Sequence, residues 1–231
     1  MPRLLLLLLA FPGGLLAQAP ITSPDAADAV ERLTARRAHL GAAFQRLAGG
    51  RLAGAAVTLR LVRDDTASLQ GEGLKAIQVL EHAAPGSVIV VCSDGNPDLA
   101  VFGPTFATLA RARRLAGFVV DGGMRGVDDL RRIGIPVFAR SAVPGSAGGH
   151  YRLVEVNQPV SCGGVDIAPG DLVVGDSDGV AIVPAGIRLE ALDKARTLRE
   201  EKEALLPLIA KYGSYTRAVE EFRKTRTLPR P

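Results

Sequence analysis

Two hydrophobic periods alternate along this chain, and the switches between them mark its elements. Ser23-Pro24-Asp25 opens an Ala-rich stretch in which Ala29, Leu33, Leu40, Phe44 and Leu47 recur at helical spacing, which predicts a first helix reaching about residue 47. After Gly49-Gly50, residues 52–62 set Ala55, Val57, Leu59 and Leu61 against Ala56, Thr58, Arg60 and Val62, the two-residue period of a strand. A helix to about residue 83 follows, and Pro85-Gly86 turns the chain into the apolar run 88–91. Beyond the loop Asp94-Gly95-Asn96-Pro97 come a helix over 105–115, a strand over 118–121, a helix over 127–133 and a strand over 136–139. The middle third therefore reads β-α-β-α-β with a parallel sheet. From Tyr151 the pattern changes to short strands at 152–157, 160–164, 172–174 and 179–183, separated by Gly and Pro. Residues 187–210 and 215–226 are charged amphipathic helices, with Lys211-Tyr212-Gly213 as a helix stop.

The first residues follow neither period. Arg3, an apolar run over 4–16 and the small-residue site Ala17-Gln18-Ala19 stand in the order of a cleavable secretory signal. Pro12, Gly13 and Gly14 interrupt the run, which is shorter than the roughly 18–20 residues that cross a bilayer. The expected product is an exported protein, periplasmic or secreted, with no stable membrane anchor after cleavage. The organisation expected is a signal peptide over 1–19, an N-terminal helical segment over 20–48, a main domain over 49–186 and a helical extension over 187–231.

Composition adds little to the fold and removes some functions. The chain is 47% apolar and 23% charged, as a globular core requires, but with 4% aromatic residues and no Trp that core must be Val, Leu, Ile and Ala. A formal net charge of +4, spread along the chain without interleaved aromatics, gives no nucleic-acid surface and suits a small anionic ligand. Cys92 and Cys162 are too few for a disulfide scaffold. Cys92 ends the run Ser87-Val88-Ile89-Val90-Val91-Cys92, the setting of a buried, inert thiol, and whether the two cysteines meet is left open.

The chemistry gathers at Val119-Val120-Asp121-Gly122-Gly123-Met124-Arg125-Gly126. An Asp at a strand end, a glycine turn able to cradle an anion and an Arg before a helix lie where open α/β sheets bind ligands. With Gly50-Arg51-Leu52-Ala53-Gly54-Ala55-Ala56-Val57-Thr58, Ala84-Pro85-Gly86-Ser87-Val88-Ile89-Val90-Val91, Ala100-Val101-Phe102-Gly103, Ile135-Pro136-Val137-Phe138-Ala139-Arg140 and Pro169-Gly170-Asp171-Leu172-Val173-Val174-Gly175-Asp176 in register, the chain resembles the RraA-like family. That family holds the class II 4-hydroxy-4-methyl-2-oxoglutarate aldolases (HMG/CHA aldolases) and the regulator of ribonuclease activity A.

The resemblance implies a swivelling-domain α/β/α sandwich with a mixed sheet, assembled as a homotrimer or hexamer. It also implies a lyase that forms pyruvate through an enolate, by retro-aldol cleavage or oxaloacetate decarboxylation, with divalent magnesium or manganese. Arg125 matches the family's enolate-stabilising Arg, and Gly103, Pro104, Thr105 and Phe106 match its substrate-contacting segment. Two positions depart from the pattern. The family's metal-ligating Asp is Gly126 here, leaving Asp121, Asp128 and Asp129 as the nearby carboxylates, and Pro104 removes one backbone donor from the carboxylate-binding segment. The alternative to a lyase is a catalytically silent binding protein for small oxo-acid anions; ribonuclease inhibition does not suit an exported chain. His39, His82 and His150 show no metal spacing, Gly145-Ser146-Ala147-Gly148-Gly149 reads as a lid or a surface loop, and Asp176 and Asp178 bracket a turn.

Overall fold

A computed structural model describes residues 21–225; the segment 1–19, expected to be a signal peptide, lies outside the described residues. Among the described residues, eleven strands and six α-helices run β1 (Gln45–Ala48), β2 (Leu52–Arg63), α2 (Leu69–His82), β3 (Val88–Cys92), β4 (Ala100–Phe102), α3 (Pro104–Ala112), β5 (Gly117–Met124), α4 (Val127–Ile133) and β6 (Val137–Ala142) after α1 (Ser23–Thr34). Then come β7 (Tyr151–Val156), β8 (Val160–Cys162), β9 (Val165–Ile167), β10 (Leu172–Gly175), β11 (Val180–Val183), α5 (Arg188–Tyr212) and α6 (Tyr215–Thr225).

The main sheet has the order β1-β6-β5-β3-β2-β10-β11, with β4 on β5 and β7 on β2. Its centre, β2-β3-β5-β6, is parallel, and β1, β7, β10 and β11 join antiparallel. The fold is therefore α/β, as the pattern predicts, with the mixed sheet that the resemblance implies. Strand β3 shows why its run is apolar throughout: all five residues are buried, Ile89 and Val91 against the α2–α4 side, Val88, Val90 and Cys92 against the other. On the α2–α4 side Leu59, Leu80, Phe118 and Leu130 fill the core. The opposite face is closed by the β8-β9 hairpin and by Leu40 and Phe44, while α1 packs on β10-β11 and α5 packs on α1.

The first helix is shorter than its periodicity predicts. Thr22 caps it, the chain turns left-handed at Ala35 (φ 55°), and residues 45–48 form β1. Leu40, Phe44 and Leu47 are apolar at helical spacing because each packs against the core, Leu40 and Phe44 from either side of a turn closed by Phe44 N–H on the Gly41 carbonyl at 3.0 Å, Leu47 from β1. The His39 region bridges Ala181, and Leu40 N–H donates to the Val180 carbonyl at 2.9 Å. Strands β4 and β9, too short to show a period, have no counterpart in the sequence pattern.

Candidate functional site

Strand β5 leads the chain to the rim of the sheet, and its course differs from the expected one. It does not end at Asp121 in a glycine turn but stays extended and buried through Met124. Gly122 and Gly123 serve close packing: a Cβ at Gly122 would sit 2.7 Å from Ser93 Oγ, and one at Gly123 would sit 2.9 Å from the Leu99 carbonyl. The pair therefore forms no anion cradle. Asp121 faces the side of the sheet that carries Cys92, is buried and is paired with Arg140, whose guanidinium lies 5.0 Å from the centre of the Phe44 ring.

Beyond β5 the backbone bends back at Arg125, whose N–H donates to the Phe102 carbonyl at 3.2 Å. This bond ties the Arg to the end of β4, next to the start of α3. There Gly103 is the N-cap and has no side chain to cap with, so the free N–H groups of the first turn, those of Thr105 and Phe106, remain for a ligand. Ala107 N–H already donates to the Gly103 carbonyl, and Pro104 has no N–H to give. The helix start is fixed by Phe106 stacked on Phe102, centroids 4.2 Å apart, with Phe118 edge-on to Phe102 at 5.7 Å.

These pieces surround a cavity of about 210 Å³ lined by Gly103, Pro104, Thr105, Phe106 and Arg125, so the structure brings together every substrate-contact residue expected from the sequence. Arg125 is exposed, and its guanidinium has no hydrogen bond or ion pair among the described residues. The far wall is invisible to sequence reasoning: Glu72 from α2, Tyr151 from β7 and the 146–148 segment. Glu72 is no free base. Lys75 Nζ at 2.7 Å holds its carboxyl below the usual carboxylate range against partial burial, and the Leu153 N–H at 2.8 Å adds to the effect. The 145–149 loop is a wall, since Ala100 N–H donates to the Gly145 carbonyl at 2.7 Å and Ala147 N–H to the Ala100 carbonyl at 2.9 Å.

The residues present do not fit a side-chain-held metal. Asp128 pairs with Arg131 at 3.6 Å, Asp129 pairs with Arg132, and Asp121 is committed to Arg140 on the other face of the sheet. Among the described residues no three His, Cys, Asp or Glu side chains converge as a metal group. Gly126 has φ 67°, and a Cβ there would lie 2.5 Å from Cγ and 2.8 Å from Cδ of Pro104. The corner in which a ligand side chain would start is filled.

The other polar candidates have local work. His39 faces Glu31 at 3.8 Å, His82 Nδ1 contacts the Gln78 carbonyl at 2.7 Å, and His150 Nδ1 contacts Asp65 at 2.7 Å. Asp176 accepts the Asp178 N–H of its turn at 3.1 Å and also anchors α1, through Ser23 N–H at 2.7 Å and Ser23 Oγ at 2.6 Å. Cys92 and Cys162 are free thiols that meet in the core beneath β8. The hydrogen bond that the Cys162 thiol donates to Cys92, together with burial, pushes that thiol up.

Comparison with known proteins fits this geometry. A provisionally named 4-hydroxy-4-methyl-2-oxoglutarate aldolase of Halalkalibacterium halodurans is 37% identical over 134 residues, 58% of this chain and 63% of that one, so the chain spans under two thirds of that relative. A 4-hydroxy-4-methyl-2-oxoglutarate aldolase of Thermus thermophilus is 31% identical over 141 residues, 60% of this chain and 80% of that one. The crystal structure of Streptomyces coelicolor RraAS2, described as an unusual member of the RNase ES inhibitor RraA protein family, superposes with a TM-score of 0.72 at 28% identity, covering 84% of this chain and 96% of that one. Residues 23–182 match the family model described as Aldolase/RraA, and the chain belongs to the RraA-like family.

Proposed function

We propose that the cavity receives a small 2-oxo acid, its carboxylate at the start of α3 and its 2-oxo oxygen beside Arg125, and that the chemistry supported there passes through the enolate of pyruvate. The observation that carries this reading is Arg125, a guanidinium without a protein partner among the described residues, set beside two uncapped helix N–H groups. In retro-aldol cleavage of 4-hydroxy-4-methyl-2-oxoglutarate the 4-hydroxyl gives up its proton to water and becomes the carbonyl of one departing pyruvate, in decarboxylation of oxaloacetate CO2 departs, and in both the electron pair of the broken carbon–carbon bond ends on the 2-oxo oxygen. Protonation of the methylene carbon then gives pyruvate. A fixed cation beside that oxygen stabilises the charge as it develops. The names of the aldolase relatives support the same substrate class.

A second reading, binding without turnover, is favoured by two observations: Gly126 supplies no ligand, and Pro104 removes one donor. We place the working protein outside the cytoplasm, on the N-terminal pattern, and assemble it as a trimer or hexamer, on the family resemblance. A coupled pyruvate assay on the purified oligomer, alongside thermal shift with pyruvate and oxalate, tests both readings. Pyruvate formed above the uncatalysed rate and lost in Arg125→Ala supports the lyase. Ligand stabilisation without turnover supports the binding protein, and neither signal from a folded oligomer refutes the site.

A further inference from the structure

We infer that Pro104 and Gly126 are an interlocked pair that closes the metal-ligand corner of this site, so that anion recognition depends on Arg125 and the α3 start without a side-chain-held cation. The inference rests on the proposed oxo-acid reading of the cavity. A left-handed φ of 67° is by itself no bar to Asp, which visits that region more readily than most residues. The obstacle is the proline ring. A Cβ at 126 would lie 2.5 and 2.8 Å from two ring carbons, distances that non-bonded carbons do not adopt. The ring cannot rotate away, because it is closed onto the backbone at a fixed φ in the first turn of α3. Relief would require shifting the start of α3, which the Phe102–Phe106 stack holds, or the turn at Arg125, which the Phe102 carbonyl holds.

The relation is reciprocal. Pro104 fits where it does because residue 126 has no Cβ, and residue 126 can carry no side chain while Pro104 stands. Two departures from the family pattern thus behave as one change. It exchanges a place for a metal-binding carboxylate for an apolar corner, and it leaves Arg125 as the cation that faces the ligand. Lysines and other arginines do not share that role, since Arg125 is the only Lys or Arg lining the cavity among the described residues.

The test uses full-length oligomer in four forms: wild type, Gly126→Asp, Pro104→Ala and the double variant Pro104→Ala/Gly126→Asp. Each is checked by circular dichroism and titrated with Mn2+ alone, read by electron paramagnetic resonance. Saturable Mn2+ binding gained in the double variant and absent from wild type and Gly126→Asp is the expected result. Saturable binding in wild type, or in Gly126→Asp as strong as in the double variant, overturns the interlock, and so does a folded double variant that gains none. Should the double variant not fold, wild type decides: oxalate affinity unchanged between EDTA and Mn2+ supports the inference, and affinity that requires Mn2+ overturns it. Wild type that binds no oxalate under either condition refutes the oxo-acid reading, while the Mn2+ titrations still judge the pair.

Discussion

Gly103→Ala separates the placement of Arg125 from the integrity of the fold. The backbone at Gly103 is extended, φ −156°, so Ala adopts it without strain. The new Cβ would sit 3.0 Å from Arg125 Cγ and 3.5 Å from its Nε. An ordinary carbon–carbon contact is about 3.5–4.0 Å, so the Arg side chain must yield by roughly half an ångström near its root, and its guanidinium by more. Overpacking against a side chain with a solvent-facing end falls at the low side of the usual ~1–3 kcal/mol. Ala in place of Gly at an N-cap adds up to about 1 kcal/mol. The sum, about 1–2 kcal/mol, lowers the melting temperature by about 2–8 °C in a protein of this size. Binding suffers more, because displacing a charge-assisted hydrogen bond costs about 1.5–3 kcal/mol, a loss of roughly tenfold to over a hundredfold. Calorimetric titration with oxalate measures it, with Arg125→Ala as the limit. Gly73→Ala, a cavity-lining position where a Cβ meets nothing within 4 Å, is the control expected to keep full affinity. If Gly103→Ala binds oxalate as wild type while Arg125→Ala does not, contact with Gly103 does not place the guanidinium.

Two further outcomes concern groups outside the cavity. Burial works to raise the carboxyls of Asp25 and Asp176, but hydrogen bonds from Thr22 and Lys202 to the former, and from Ser23 and the Asp178 N–H to the latter, leave both below their usual 3.8. On acidification the unfolded chain therefore takes up these protons first, so their contribution is whole above the unfolded value and is lost as pH falls through the lower folded ones. Hydrogen exchange should show α1 loosening below about pH 4 with the central strands still protected, and protection of α1 unchanged down to about pH 2 would contradict the assignment. Cys92 and Cys162 are buried, and the Cys162 thiol is pushed up, so a thiol reagent at neutral pH should label neither in the folded protein and both in denaturant; stoichiometric native labelling would refute their inertness.

The middle of the fold was legible because local and tertiary demands coincide there. Strand β3 is apolar at every position since both its faces are covered, and α4 runs from Val127 to Ile133, as its pattern predicts, between two left-handed glycines, Gly126 and Gly134. Legibility failed where tertiary contact alone sets the conformation. Leu40 and Phe44 recur as a helix would require, yet their spacing comes from a turn, closed by Phe44 N–H on the Gly41 carbonyl, that lays both side chains on the sheet. Gly122-Gly123 reads as a turn in any local window, yet Ser93, Leu99 and Val143 crowd so close that only glycines let β5 continue. Strand β4 exists through its register with β5, Ala100 opposite Gly123, which no periodicity in its own residues can announce.

The candidate site divides along the same line. Arg125 and the segment from Gly103 to Phe106 are legible because a motif records residue types, and type is what an anion site needs. Glu72, Tyr151 and the 146–148 wall reach the cavity through the packing of α2 and β7, for which the sequence has no local sign. The relation between Pro104 and Gly126 is hidden more deeply, because one partner acts through an atom it lacks. Taken singly, Gly126 looks like a lost ligand and Pro104 like a lost donor, two separate injuries to a lyase. In three dimensions the ring of one occupies the Cβ space of the other while both stand beside an Arg125 whose backbone is still tied to β4. The two positions therefore count as one packed contact beside a guanidinium that lines the cavity, an arrangement that suits the proposed anion and leaves no room for a side-chain metal ligand at residue 126.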